Sequence, residues 1–145
     1  MQIITRQVKD RPLTVTIEYP EYNDSVSGLV RKISSLNTEF CASIEGRQVK
    51  IGLSETYYIE NVDRKLFVYT AKDVYRLDLS MSEAEAMTAD TGLVRISRTC
   101  IMNTDHLREI KQVKNSHLEA VLDNGEMLIV SRKYLQDIKR AFQKG

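Results

Sequence analysis

The chain lacks any apolar run approaching the ~18–20 residues that a membrane-crossing helix needs. Its opening, MQIITRQVKDRPL, is interrupted by Arg6, Lys9, Asp10 and Arg11, so it does not read as a signal peptide. Cysteine occurs only twice, at Cys41 and Cys100, with no metal-ligand spacing around either. Both thiols are expected to be reduced and buried in a cytoplasmic protein. Neither sign of charge is in excess, since 21 Lys/Arg against 20 Asp/Glu leave a net charge of +1. No P-loop, G-x-G-x-x-G or G-x-S-x-G is present. His106 and His117 are too far apart to form a helical metal pair. Asp123 reads as a turn residue, and the other carboxylates mostly sit beside lysines or arginines. No catalytic centre, metal or cofactor is expected.

A length of 145 residues suits one domain. A hydrophobic fraction of 42% can fill one core, and a charged fraction of 28% spread along the chain argues against wholesale disorder. The small net charge hides a lean: residues 90–145 carry +3 and residues 1–89 carry −2. So slight an asymmetry points only weakly toward nucleic acid.

Two textures divide the chain. In residues 1–37, Leu13, Val15, Ile17 and Tyr19 alternate with polar residues as in a strand with one buried face, and Pro20 stops the run. Asp24 or Ser25 can cap a following helix with Val26, Leu29, Val30, Ile33 and Leu36 on one stripe. From Thr38 onward, short β-like runs alternate with turns: 39–45, 48–53, 56–60, 65–70 and 74–79. A short helix capped by Ser80 or Ser82 follows, and strands resume at 93–96, 101–102, 107–113, 118–122 and 127–130. Asn61-Val62-Asp63 reads as one tight connection. Asn124-Gly125 is the strongest hairpin signal, with positive φ expected at both residues. A last helix begins near Tyr134, with Leu135, Ile138, Ala141 and Phe142 sharing a face. The pattern is that of a mostly β fold with minor α, a sandwich or open barrel.

One stretch is distinctive: LVRISRTCIMNTDHLREIK, Leu93 to Lys111. It resembles the signature of the LytTR DNA-binding domain of bacterial transcription regulators, with Arg95, Ile96, Arg98, Ile101, Met102 and Asn103 in matching places. YYIENVDRKLFVYT, Tyr57 to Thr70, resembles that family's first core hairpin. LEAVLDNGEMLIVSRKYLQDIKRAF, Leu118 to Phe142, resembles its closing hairpin and final helix. Three motifs in order and register, over about 100 residues, make the resemblance specific. There are departures: Ser97 stands where the family usually has His, Thr99 where it has Ser, and Cys100 where it has an aromatic residue.

The resemblance implies an elongated stack of small antiparallel sheets over residues 38–145, with residues 1–37 as a strand-helix extension. It implies sequence-specific binding of double-stranded DNA by loops at strand ends, which enter successive major grooves from the two ends of the domain. The implied DNA-binding residues are Lys133 and Arg132 after the last strand, Ser97 and Arg98 at the centre of the site, and Arg64 or Lys65 at the first hairpin tip. Lys114 and Asn115, with Ser116, are added because they sit at a predicted turn. Arg95 is expected to pair with an acid or to snorkel before it meets DNA.

A receiver domain would take roughly 120 residues and only 37 precede the match, so phosphorelay control through an internal receiver is not expected. The resemblance to stand-alone regulators implies direct repeats as the target and an inhibitory membrane protein encoded alongside. The 22–36 helix can pack on the rest of the chain, the favoured reading, or on a second copy, and is the candidate for a partner or homodimer contact. The alternative function class is a β-rich protein-interaction module whose basic loops meet an acidic partner.

Overall fold

In a computed structural model that describes residues 1–113 and 117–144, with side chains of the last helix described as far as residue 140, ten strands form two antiparallel sheets. The strands are β1 (Glu39–Ile44), β2 (Arg47–Gly52), β3 (Thr56–Val62), β4 (Lys65–Thr70), β5 (Val74–Leu77), β6 (Leu93–Ser97), β7 (Cys100–Asn103), β8 (Leu107–Gln112), β9 (Leu118–Leu122) and β10 (Met127–Val130). The first seven make one sheet in the order β2-β1-β5-β4-β3-β7-β6, and the last three make a meander, β10-β9-β8. Three α-helices accompany them: α1 (Asp24–Leu36), α2 (Met81–Met87) and α3 (Leu135–Lys144). The fold is mostly β, as the alternation in the sequence predicts.

Two apolar cores lie on opposite faces of the larger sheet, and the strand period of two distributes side chains between them. On β3, Ile59 enters the first core with Phe40, Leu66, Val68, Leu77 and Ala84, while its neighbour Tyr58 enters the second. On β7, Ile101 goes one way and Cys100 and Met102 go the other. The second core is closed by Leu118, Ala120 and Leu122 of β9, Val130 of β10 and Ile138 of α3. Every residue of β7 is buried in consequence. Asn103 ends that strand. Its side-chain amide donates to the carbonyls of Leu53 (3.1 Å) and Thr56 (2.8 Å), and its Oδ1 accepts from the Asp105 amide (3.0 Å). The side chain thereby ties β7 to the turn between β2 and β3.

Several local expectations shift. The cap of α1 is Asn23, whose side chain accepts from the Val26 amide, one residue before the expected Asp24. For α2 the cap is Ser80, in a reciprocal capping box with Glu83. Cys41 is exposed and only Cys100 is buried: Phe40 and Ala42 point into the first core, so Cys41 between them must point out. Of the Asn124-Gly125 pair only Gly125 has positive φ, at 89°. The loop there spans four residues, closed by hydrogen bonds from the Gly125 amide to Leu122 and from the Leu122 amide to Glu126. The two-residue turns with both φ values positive are instead Glu45-Gly46 (50° and 78°), between β1 and β2, and Asp63-Arg64 (51° and 66°), a type I′ connection between β3 and β4 made without glycine. Residues 13–19 have no ladder partner among the described strands. Helix α1 leaves Val30 and Leu36 exposed. The expected side-chain contacts of Ala141 and Phe142 lie outside the described residues.

His106 joins the two sheets. Its Nδ1 lies 2.9 Å from Asp123 in the β9–β10 loop and its Nε2 lies 2.9 Å from the Ser54 carbonyl, with Tyr57 stacked on the ring at 4.0 Å. The hydrogen bond from His106 holds the Asp123 carboxyl below its ordinary pKa, and Tyr57 and Arg108 act in the same direction.

Two outcomes are expected. Asn103→Ala strands two buried carbonyls and should cost about 2–3 kcal/mol, read as a lower urea midpoint at unchanged slope. A carboxyl depressed in the folded state contributes stability above its unfolded pKa of ~4 that is lost as pH falls through the folded value. Asp123→Asn should therefore lower the melting temperature at neutral pH and reduce its decline on acidification.

Candidate nucleic-acid interface

Strand pairing determines where the cationic turns come to rest. Because β3 pairs with β7, the β3 end lies against the turn that joins β6 to β7, and the Asn61 amide donates to the Thr99 carbonyl at 2.8 Å. On the other side of that turn, the Ser131 amide donates to the Ile96 carbonyl at 2.8 Å. Thus the 97–99 turn sits in the middle of a rim. The Asp63-Arg64 turn and Lys65 extend it on one side, and the 3-10 turn Arg132–Tyr134 extends it on the other. Arg64, Lys65, Arg98, Arg132 and Lys133 are all exposed, while Ser97 is half-buried. Of the predicted residues, Lys114 and Asn115 (with Ser116) lie outside those described.

Arg95 is the fastener of this rim. Its guanidinium donates to the carbonyls of Ser97 and Arg98 and pairs with Glu85 of α2. One planar fork therefore closes the turn that displays Arg98 and anchors it to a helix. This fits the expectation that Arg95 meets an acid. Ser97 also serves the turn, its hydroxyl accepting from the Thr99 amide at 3.3 Å. The Lys133 ammonium lies 5.6 Å from the Tyr134 ring centroid, within cation–π range.

Between the rim and the smaller sheet lies an open cleft of about 660 Å³, lined among others by Ser97, Thr99, His117, Met127, Ile129 and Arg132. Met127 and Ile129 are exposed because β10 is an edge strand whose other face supplies Val130 to the core. Their alternation with Leu128 and Val130 is visible in the sequence, but no sequence signal puts them beside Arg132. Cys100, at the cleft floor, is an un-ionised thiol: burial, with Glu60 nearby, pushes its pKa up to about 12. Among the described residues no three His, Cys, Asp or Glu gather to hold a metal. No described helix is long and apolar enough to cross a membrane.

An exposed row of cations on hydrogen-bonded turns, five of them against Asp63 in the first turn and Glu60 at the cleft wall, is a surface for polyanions. Comparison with known proteins agrees. The family model of the LytTr DNA-binding domain matches residues 46–143. Sensory transduction protein LytT of Enterococcus faecalis is 25% identical over 95 residues, which are 66% of this chain and 39% of that protein. Its Bacillus anthracis counterpart is 27% identical over 97 residues, covering 67% and 39%. Transcriptional regulatory protein LytR of Staphylococcus aureus (strain N315) is 29% identical over 72 residues, covering 50% and 29%. This chain therefore spans about two fifths, or less, of the length of these relatives. A solved LytTr DNA-binding domain from Bacillus cereus superposes with a TM-score of 0.67 at 22% identity, covering 72% of this chain and 96% of that one, which shows a shared fold. With a family model matching most of its length, the chain belongs to the LytTr DNA-binding domain family.

Proposed function

We propose that the protein is a non-catalytic, sequence-specific transcription regulator that lays its cationic rim along duplex DNA. The observation that carries this reading is the arrangement of the turns: two exposed basic pairs, Arg64-Lys65 and Arg132-Lys133, flank the turn that carries Arg98, and backbone hydrogen bonds at 2.8 Å join that turn to both sides. A rigid β scaffold fixes the spacing of such loops, as separated reading elements must match the helical repeat. Lys133 reads a base edge, its ammonium suited to the O6 and N7 acceptors of guanine, and Arg132 shares that role or takes phosphate. Arg98 and Ser97 meet the middle of the site. Arg64 and Lys65 reach the neighbouring major groove from the hairpin tip. Arg95 touches no DNA and acts by holding the turn that presents Arg98. Residues 1–37 are the route by which a second copy, or the small membrane protein that the resemblance implies, controls the domain.

The test is a gel-shift titration of the full chain against its own operon's promoter at several salt concentrations. Affinity should fall steeply with salt as counterions are displaced. Arg98→Ala and Lys133→Ala should each cost ~1–3 kcal/mol and relax specificity at the base pair that the side chain reads. If both variants shift the DNA no less than wild type does, the site assignment is wrong.

Arg95→Ala separates positioning from contact. It should weaken binding to the same duplex while leaving the salt slope unchanged, because no phosphate contact is removed. A reduced slope would instead make Arg95 a DNA ligand.

A further inference from the structure

The N-terminal segment has the sequence of a strand and no strand to pair with. Leu13 is 98% exposed and Val15 59%. Val15, Ile17 and Tyr19 face Val26, Val30 and Ile33 of α1 across an open apolar cleft of about 340 Å³, so the helix stripe is only partly covered. None of the described backbone hydrogen bonds involves residues 13–19. A run of unmet backbone donors and acceptors beside an unfilled apolar cleft is a template for another strand.

We propose that the missing strand is the same segment of a second copy, paired antiparallel about a two-fold axis through Thr16. The sequence is self-complementary in that register. Arg11 falls opposite Glu21, Pro12 opposite Pro20, Leu13 opposite Tyr19, Thr14 opposite Glu18, Val15 opposite Ile17, and Thr16 opposite itself. Each apolar residue meets an apolar residue on one face, and each polar residue meets a polar one on the other. Opposite charges meet at both ends. The prolines, which have no N–H to give, coincide where the ladder stops. Centring one residue later, on Ile17, sets Leu13 against Glu21 and Pro20 against Thr14. Centring one residue earlier, on Val15, loses the Arg11–Glu21 pairs and sets Pro12 against Glu18. A foreign strand would have no reason to match this palindrome, which is why a second copy is the occupant.

A two-stranded ribbon alone is marginal in water and needs a covering layer. The two α1 helices supply it, their Val26, Val30 and Ile33 lying against the apolar face. The interface is then isologous, the same patch on both copies. Helix α1 also touches the Leu53–Glu55 turn and α3, so the axis relates the two bodies and not only their tails. For the DNA reading, on which this one consequence rests, the axis sets the two cationic rims in inverted order. Inverted half-sites suit such a dimer, in place of the direct repeats that the family resemblance implies.

Sedimentation of the full chain in DNA-free buffer tests the dimer independently of DNA binding. The mass should rise with concentration to twice 16.7 kDa. Arg11→Glu should raise the dissociation constant several-fold, and Arg11→Glu combined with Glu21→Arg should restore it. Register is read by cross-linking in a Cys41→Ser background. Thr16→Cys should form a covalent dimer on mild oxidation, because facing Cα atoms in an antiparallel pair lie ~4.5–5.5 Å apart. Thr14→Cys alone should not, its own mate lying roughly 13 Å along the ribbon. Mixed with Glu18→Cys, it should. These positions lie outside both cores, so circular dichroism of each variant should match wild type. A chain that stays monomeric at every concentration, or one in which Thr14→Cys cross-links as readily as Thr16→Cys, overturns the proposal. A dimer that binds no promoter DNA would instead refute the proposed function and leave the interface standing.

Discussion

The rim depends on two backbone hydrogen bonds at one turn. Asn61 donates to Thr99 on one side and Ser131 donates to Ile96 on the other. The first of them extends, beyond its last paired residues, the ladder that already sets β3 beside β7. With them, the 97–99 turn fixes the distance from the first hairpin tip to the last strand's exit. Arg95 reinforces the same point by spending its guanidinium on two carbonyls of that turn and on Glu85. A guanidinium with a mobile end could have become one more exposed cation. Bound as it is, it converts flexibility into a fixed presentation of Arg98.

Behind the rim, stiffness comes from strands that are buried on both faces. β3 and β7 place alternate residues in two cores, so neither can shift register without exposing one apolar set and burying another. Asn103 and His106 lock the remaining freedom at the far end of β7, one to the carbonyls of Leu53 and Thr56, the other to Ser54 and Asp123. The seven-stranded sheet and the meander therefore behave as one support. A reading surface made of loops needs such a support, because loops carry little positional information of their own.

Much of this was legible beforehand because alternation is a local signal. The strands at 65–70, 118–122 and 127–130 lie where the sequence pattern puts them, the others from Thr38 onward shift by a residue or two, and the run at 13–19 forms no strand in the single chain. What depended on distant contacts was not legible. Cys41 looked buried because it lies in an apolar run, yet the pleat turns it outward between Phe40 and Ala42. Asn124-Gly125 promised a two-residue turn, but hydrogen bonds between Leu122 and both Gly125 and Glu126 close a wider loop. Asp63-Arg64 has no glycine to announce positive φ, and the left-handed geometry is imposed by the strands it joins. The candidate site divides in the same way. Exposed cations at turns can be read from turn residues and charge, whereas their meeting on one rim follows from β3 lying beside β7, a pairing between residues some forty positions apart. The partnership of Arg95 with the turn carbonyls likewise has no sequence signature beyond proximity.

The N-terminal segment obeys the same physics from the opposite side. A strand is defined by its neighbour, so residues 13–19 can carry a complete strand pattern and still be no strand in a single chain. In the core, each apolar stripe found its cover within the domain. Here the pattern is palindromic and the cover is partial, with Leu36 as well as Val30 left in solvent. A chain selected only to fold alone has no use for opposite charges spaced symmetrically about Thr16. Pairing of like with like gives those charges a partner and ties the number of cationic rims brought to a duplex to the concentration of the protein itself.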